Sequence, residues 1–314
     1  MSELPGWLRW PLLIFGGGML LLLLLLLAVV LLSERRLNAA VSLQPRPPAI
    51  PMDPELFERG RRLAAGLLRC TSCHGEDLGG KVALEDSRYG RFVAPNLTTG
   101  PGGVGAAYTD ADWVRAIRYG RDPQGRPLRW MPVADYIGLA DSDLAALITY
   151  LKAIPPVRRE LPEFSLSLLA RWDYVRGRFR LSDAEQVNLE LEPPLTPPRS
   201  SPAAYGRYLA KIGGCNTCHG ERWNGARIPY APPDAPPAPN LTPHLTEGLG
   251  SWSEEDFRRA LRTGRRPDGQ LLDPWMPWQN FAHLSDEEVR ALWAYLWSLP
   301  PLPTAPEAQA KTAR

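Results

Sequence analysis

Three patterns of apolar and polar positions succeed one another along the chain. The first is unbroken apolarity: residues 11–32 carry no charge and include eight consecutive leucines at 20–27. At 1.5 Å per residue a helix over this stretch spans roughly 33 Å, enough for a bilayer core of about 30 Å. A cleaved signal peptide has a shorter apolar region, about 7–15 residues, and a small-residue cleavage site. Asn38-Ala39-Ala40 matches such a site poorly. Residues 1–33 therefore read as an uncleaved transmembrane anchor. Arg9 before the span and Glu34, Arg35 and Arg36 after it give the positive-inside rule little to work with.

The second pattern is helical amphipathicity, and it occurs twice. Asp53-Pro54 is a helix start, with an acid at the N-cap and proline at the first helical position, and Leu56, Leu63 and Leu67 follow at helical spacing. Tyr205-Gly206-Arg207-Tyr208-Leu209 repeats Arg59-Gly60-Arg61-Arg62-Leu63, and the shared glycine predicts the close approach of another helix. Pro95-Asn96-Leu97-Thr98 returns as Pro239-Asn240-Leu241-Thr242. Residues 111–120 return as 255–264, with capping-box spacing at Thr109/Asp112 and Ser253/Asp256 and a glycine closing each helix. Residues 141–151 return as 286–296, each copy ending in Pro-Pro at 155–156 and 300–301. An offset that stays between 144 and 146 residues throughout marks a duplicated domain, here 53–156 and 202–302. Asn-Leu-Thr also fits a glycosylation sequon in both copies, but its place inside the repeat gives it a structural reading.

The third pattern is proline-rich and lies between these units. Residues 34–52 read as a semi-rigid polyproline-like tether. Residues 157–201 read as a connector carrying Arg171, Arg176, Arg178 and Arg180. Its arginines suit either a strap with its charges in solvent or a segment docked on anionic lipid or a partner subunit, and the strap is the preferred reading. Residues 303–314 read as a disordered tail. Proline (34) and glycine (27) together fall below the share that signals disorder for the 314-residue chain. The expected fold class is therefore all-α.

A net charge of +2 gives no case for nucleic-acid binding. The chemistry lies in the four cysteines, all of which belong to Cys70-Thr71-Ser72-Cys73-His74 and Cys215-Asn216-Thr217-Cys218-His219. C-x-x-C alone also serves zinc and thioredoxin-like sites, but C-x-x-C-H reads as covalent c-type haem attachment. In both copies a methionine lies 57 residues beyond the histidine: Met131 in Trp130-Met131-Pro132 and Met276 in Trp275-Met276-Pro277. A lone methionine is usually core filling, yet two of only five here stand at matched offsets. A soft thioether opposite histidine favours ferrous iron, so Met131 and Met276 are expected as second axial ligands to His74 and His219. His244 and His283 lie outside the repeated scheme and are expected at the surface or in hydrogen bonds, although either has the chemistry to replace a methionine.

With these motifs the chain resembles the class I cytochrome c domains in membrane-bound cytochrome subunits of bacterial alcohol, gluconate and sugar dehydrogenases. The likeness covers about 53–302. It implies two compact helical domains and two covalently bound haem c groups. It also implies attachment and ligation by Cys70, Cys73, His74 and Met131, and by Cys215, Cys218, His219 and Met276. It further implies that the haem domains lie on the outer, periplasmic face of the cytoplasmic membrane, so the amino terminus lies inside. Those subunits usually carry three haems and a carboxyl-terminal anchor; this sequence shows two motifs and an amino-terminal span. The expected function is electron relay between a dehydrogenase or quinol-oxidising partner and a downstream acceptor, without catalysis, with Trp130, Trp275 and Trp278 as candidate exit points. A structural reading, an anchoring subunit whose main role is to hold a catalytic partner at the membrane, is compatible with that function. A di-haem peroxidase is the enzymatic alternative, and it needs one iron with a displaceable ligand and a nearby acid–base group.

Overall fold

The computed structural model describes residues 6–229, 231–232 and 234–309. The chain begins with helix α1 (Gly6–Leu37), five residues longer at its end than the uncharged run. Its leucines at 20–27 are all exposed, and its window from Trp10 to Leu37 is long and apolar enough to cross a membrane. By length and composition this helix fits either an anchor or a signal sequence.

The first helical unit comprises α2 (Pro54–Ala65), α3 (Cys70–His74), α4 (Asp110–Tyr119), α5 (Val133–Tyr136) and α6 (Asp141–Ala153). The second repeats it as α8 (Pro202–Ile212), α9 (Cys215–His219), α10 (Glu254–Thr263), α11 (Trp278–Phe281) and α12 (Asp286–Trp297). Asp53 caps α2 by accepting from Glu55 N and Leu56 N. Both expected capping boxes close, at Thr109/Asp112 and Ser253/Asp256, and Gly120 and Gly264 end α4 and α10 in left-handed conformation. The repeated glycines mark the tightest crossings. A Cβ on Gly60 would lie 2.0 Å from the Ala146 carbonyl of α6, and one on Gly206 would lie 1.8 Å from the Ala291 carbonyl of α12. Leu63, Leu67, Leu144 and Leu147 in one unit, with Leu209, Val289 and Leu296 in the other, belong to one continuous core.

The all-α expectation needs correction. Strands β1 (Lys81–Asp86), β2 (Gly90–Ala94) and β3 (Ser165–Leu166) form a three-stranded antiparallel sheet in the order β1-β2-β3. In the hairpin turn Asp86 Oδ1 accepts from Arg88 N and Tyr89 N. Phe92 is buried under the sheet, its ring 4.8 Å from Trp130 and 5.4 Å from Phe164. The hairpin occupies the segment between His74 and Pro95, and among the described residues of the corresponding segment in the second unit the pairing is a bridge between Ala226 and Ala238. Lys81–Asp86 shows no strict alternation of apolar and polar residues, so the strand period is absent from its sequence.

The flanking segments also differ from expectation. Residues 34–52 are held against the first unit and do not stand off as a spacer: Val41 N donates to Gly125 O (3.0 Å), Arg115 Nη2 to Leu43 O (3.2 Å) and Thr149 Oγ1 to Pro51 O (3.1 Å). The connector folds as helix α7 (Leu168–Val175) and a 3-10 turn (Asp183–Glu185), and α7 packs beside the end of α1. Residues 303–309 are ordered: Ala305 is buried, its N–H donates to Asn224 O, Thr304 N donates to Glu247 Oε2, and helix α13 (Pro306–Gln309) follows. The rest of the expected tail, 310–314, lies outside the described residues, as do residues 1–5 of the expected anchor.

Candidate metal centres

Each C-x-x-C-H motif is a single helical turn, which puts its two cysteines three residues apart on one face. The residue before each turn, Arg69 or Gly214, is left-handed (φ 53° and 65°), so the chain bends sharply into the motif. After it the chain folds back: Gly80 N donates to His74 O (2.7 Å) and Gly225 N to His219 O (3.0 Å). Burial pushes the Cys70 and Cys215 thiols up to about 12, so both sulfurs are neutral. Among the described residues, no three His, Cys, Asp or Glu side chains gather as a metal cluster.

The imidazoles are oriented identically. His74 Nδ1 donates to Pro95 O and His219 Nδ1 to Pro239 O, each at 2.8 Å. A carbonyl only accepts, so Nδ1 carries the proton and Nε2 presents its lone pair. Desolvation lowers the pKa of both rings against this hydrogen bond, which keeps them neutral. The prolines are the first residues of the two Pro-Asn-Leu-Thr segments, whose purpose the sequence did not disclose. Asn96 is fully buried; its Oδ1 accepts from Thr98 N (2.9 Å) and its Nδ2 donates to Val157 O (2.8 Å). Asn240 repeats this with Thr242 N and Leu302 O, both at 2.8 Å. Amides so enclosed are no glycosylation acceptors in the folded chain. They brace the loop whose carbonyl holds the histidine.

Met131 and Met276 are partly buried against the same core as Cys70 and Cys215. Each sits directly before a proline that opens a one-turn helix, α5 or α11. Two neutral thiols, an imidazole with its free nitrogen fixed and a neutral thioether on a shared apolar core form a donor set that suits an attached haem. His244 accepts from Glu247 N within a turn, and His283 lies beside Gly66 at the junction of the two units.

The units dock through these same elements in a reciprocal manner. Asp135, four residues beyond Met131, accepts from Thr217 Oγ1 of the second motif (3.0 Å) and lies 3.8 Å from Arg69. Its counterpart Asn280, four residues beyond Met276, accepts from Ser72 Oγ of the first motif (2.9 Å) and donates to Ala65 O (2.8 Å). The methionine segment of each unit thus lies over the attachment turn of the other. Behind this contact Arg59 bonds Asp143 in its own unit (2.9 Å) and Glu288 across the interface, and Tyr208 donates to Asp143 (2.8 Å). Burial opposes the Arg59 charge, but Asp143 and Glu288 outweigh it and hold the guanidinium ionised.

The two methionine edges differ in exposure. Trp130 lies under Phe92, in a cluster with Phe164 and Phe179 from the connector. Trp275 is 46% exposed and Leu271 63%. Of the expected exit points, Trp130 is therefore covered, and Trp275 is open.

The family model for cytochrome c matches residues 57–155 and again 203–300. The cytochrome c subunit of the quinone-dependent alcohol dehydrogenase of Gluconobacter oxydans is 28% identical over 276 residues, 80% of this chain and 56% of that protein. The chain thus spans little more than half the length of that relative. A diheme cytochrome c-type protein of Cereibacter sphaeroides is 30% identical over 278 residues, 79% of this chain and 90% of that protein. The cytochrome c subunit of the gluconate 2-dehydrogenase of Pantoea cypripedii is 38% identical over 94 residues, 29% of this chain and 21% of that subunit.

Proposed function

Because this chain belongs to the cytochrome c family, with one cytochrome c domain in each half, we propose that it is a membrane-anchored electron relay serving a dehydrogenase or quinol-oxidising partner. It carries two covalently bound haem c groups, which supply one-electron redox chemistry at each site. The proposal assigns Cys70 and Cys73, and Cys215 and Cys218, to attachment, and His74 with Met131, and His219 with Met276, to axial ligation.

The observation that carries this reading is the doubled fixing of an imidazole. A proline carbonyl holds Nδ1–H in each unit, and a methionine on the shared core follows at the same interval. Such a site positions its ligands in advance and keeps water out with leucine and aromatic side chains, so little rearranges when charge arrives. The reciprocal contact of Asp135 with the second motif and Asn280 with the first supports passage between the two sites. The covered Trp130 edge and the open Trp275 edge support the second unit as the one that meets a soluble or membrane partner. Helix α1 is read as an uncleaved anchor with the amino terminus inside and both haem units on the periplasmic side. The relatives named as dehydrogenase subunits support a partner of that kind.

Carbon monoxide tests the relay against the peroxidase alternative. The reduced full-length protein is expected to keep both low-spin spectra under carbon monoxide and to turn over no peroxide. A rapid high-spin adduct together with peroxide consumption would replace the relay with an enzyme.

A further inference from the structure

We propose that α7 is a membrane-interface helix whose Leu168–Leu169 turn inserts where acyl chains meet the headgroups of an anionic bilayer, and so fixes the height of the first haem unit. The inference rests on the reading of α1 as a membrane span.

The register between the two helices carries it. On α1 the buried positions Val29, Ser33 and Leu37 recur every four residues and form one stripe. Arg171 Nη1 donates to Ser33 Oγ (2.8 Å) and pairs with Glu34 (2.7 Å). Three residues on, Arg36 donates to Tyr174 O (3.0 Å) and stacks over the Tyr174 ring at 4.5 Å. Residue 171 is thus level with 33–34 and residue 174 with 36. The helices run in the same sense, and the first turn of α7 points back along α1 toward its apolar part.

On that turn Leu168 is 53% exposed and Leu169 49%, and on α1 Leu31 and Leu32, just before Ser33, are themselves more than half exposed. Adjacent leucines continuing the surface of an apolar helix are unfavourable in water and favourable at the acyl boundary. Charge is arranged to match. Beyond the leucines come Trp172, with Arg176 stacked on it at 5.4 Å, and then Arg178. Arg35 and Arg178 have no acidic partner among the described residues, so they are free to meet lipid phosphates. Asp173, the acid on α7, already faces Arg88 at 3.8 Å. An aromatic and basic band above an apolar tip is the arrangement of a helix seated in the headgroup layer.

The test uses the full haem-loaded chain in nanodiscs of mixed zwitterionic and anionic phospholipid. The four native thiols are consumed by haem, so Leu169→Cys takes a single nitroxide label, and an unchanged haem spectrum reports folding. Leu168→Cys is the second variant, Glu163→Cys the aqueous reference and Leu22→Cys the reference within α1. Oxygen is expected to relax the label at 169 or 168 several-fold more than a water-soluble nickel chelate does, relative to 163. Equal behaviour at 169, 168 and 163 with a lipid-like signal at 22 overturns the inference alone. Shielding of 169 and 168 from both reagents also overturns it, since a protein then covers the turn. Nickel access at 22, or loss of that position by cleavage, overturns the anchor reading and the inference together.

Discussion

Asn96 and Asp135 show how single side chains set up the metal centres. Asn96 makes two buried hydrogen bonds that brace the loop carrying Pro95 O, the acceptor for His74. Asn96→Ala is expected to cost about 2 kcal/mol, because bonded backbone groups lose their partner in a buried loop. Denaturant titration followed at the first haem band measures it. Asp135 is the charged member of the reciprocal pair, and burial raises its pKa from an ordinary 3.8 to about 6 against the Thr217 hydrogen bond and Arg69. A carboxyl with a raised folded pKa binds more protons folded than unfolded, so its contribution to stability declines as pH rises from about 4 to about 6. Asp135→Asn keeps an acceptor for Thr217, as Asn280 does for Ser72, and removes that decline. Its advantage over wild type is expected to be absent near pH 4 and to reach on the order of 2 kcal/mol by pH 7. A difference that stays constant across this range would contradict the assignment. Neither role could be read from sequence. The Pro-Asn-Leu-Thr repeat was visible, but its purpose depends on a carbonyl direction, and the Asp135–Thr217 contact joins residues 82 positions apart.

Among the elements, the helices were the most legible. Periodicity, proline at the first position and capping boxes are local signals, and α2, α4, α10 and the Gly60 and Gly206 crossings follow from them. The sheet was not legible, because β3 comes from the connector and pairs with β2 far away in sequence. Residues 34–52 and 303–309 differ from expectation for a similar reason. Proline content describes a local backbone, whereas Val41, Thr149 and Thr304 are held by distant partners. Gly206→Ala tests the element scale, since its methyl would meet backbone that cannot swing aside. It is expected to cost about 3 kcal/mol in the second unit through overpacking. Gly17→Ala, where a Cβ meets nothing within 4 Å, is expected to leave the haem domains unchanged. Thermal melts read at each haem band separate the two.

For the whole molecule, the interface decides whether two haem domains act as one body. Arg59 is partly buried between the buried carboxylates of Asp143 and Glu288, one from each unit. Removing it strands two carboxylates, so Arg59→Ala is expected to cost about 3–5 kcal/mol and to split one cooperative melt into two. Calorimetry on the full chain measures this. The open edge of the second unit makes a further difference: Trp275→Ala is expected to slow electron exchange with a redox partner several-fold while both haem spectra stay unchanged. The central claim remains that each iron is closed by histidine on one side and methionine on the other. The near-infrared sulfur-to-iron band of the oxidised full-length protein tests it most directly. The expected intensity is that of two such centres, halved by Met131→Ala and halved by Met276→Ala. A native band worth only one centre, or either substitution leaving it unchanged, would contradict it.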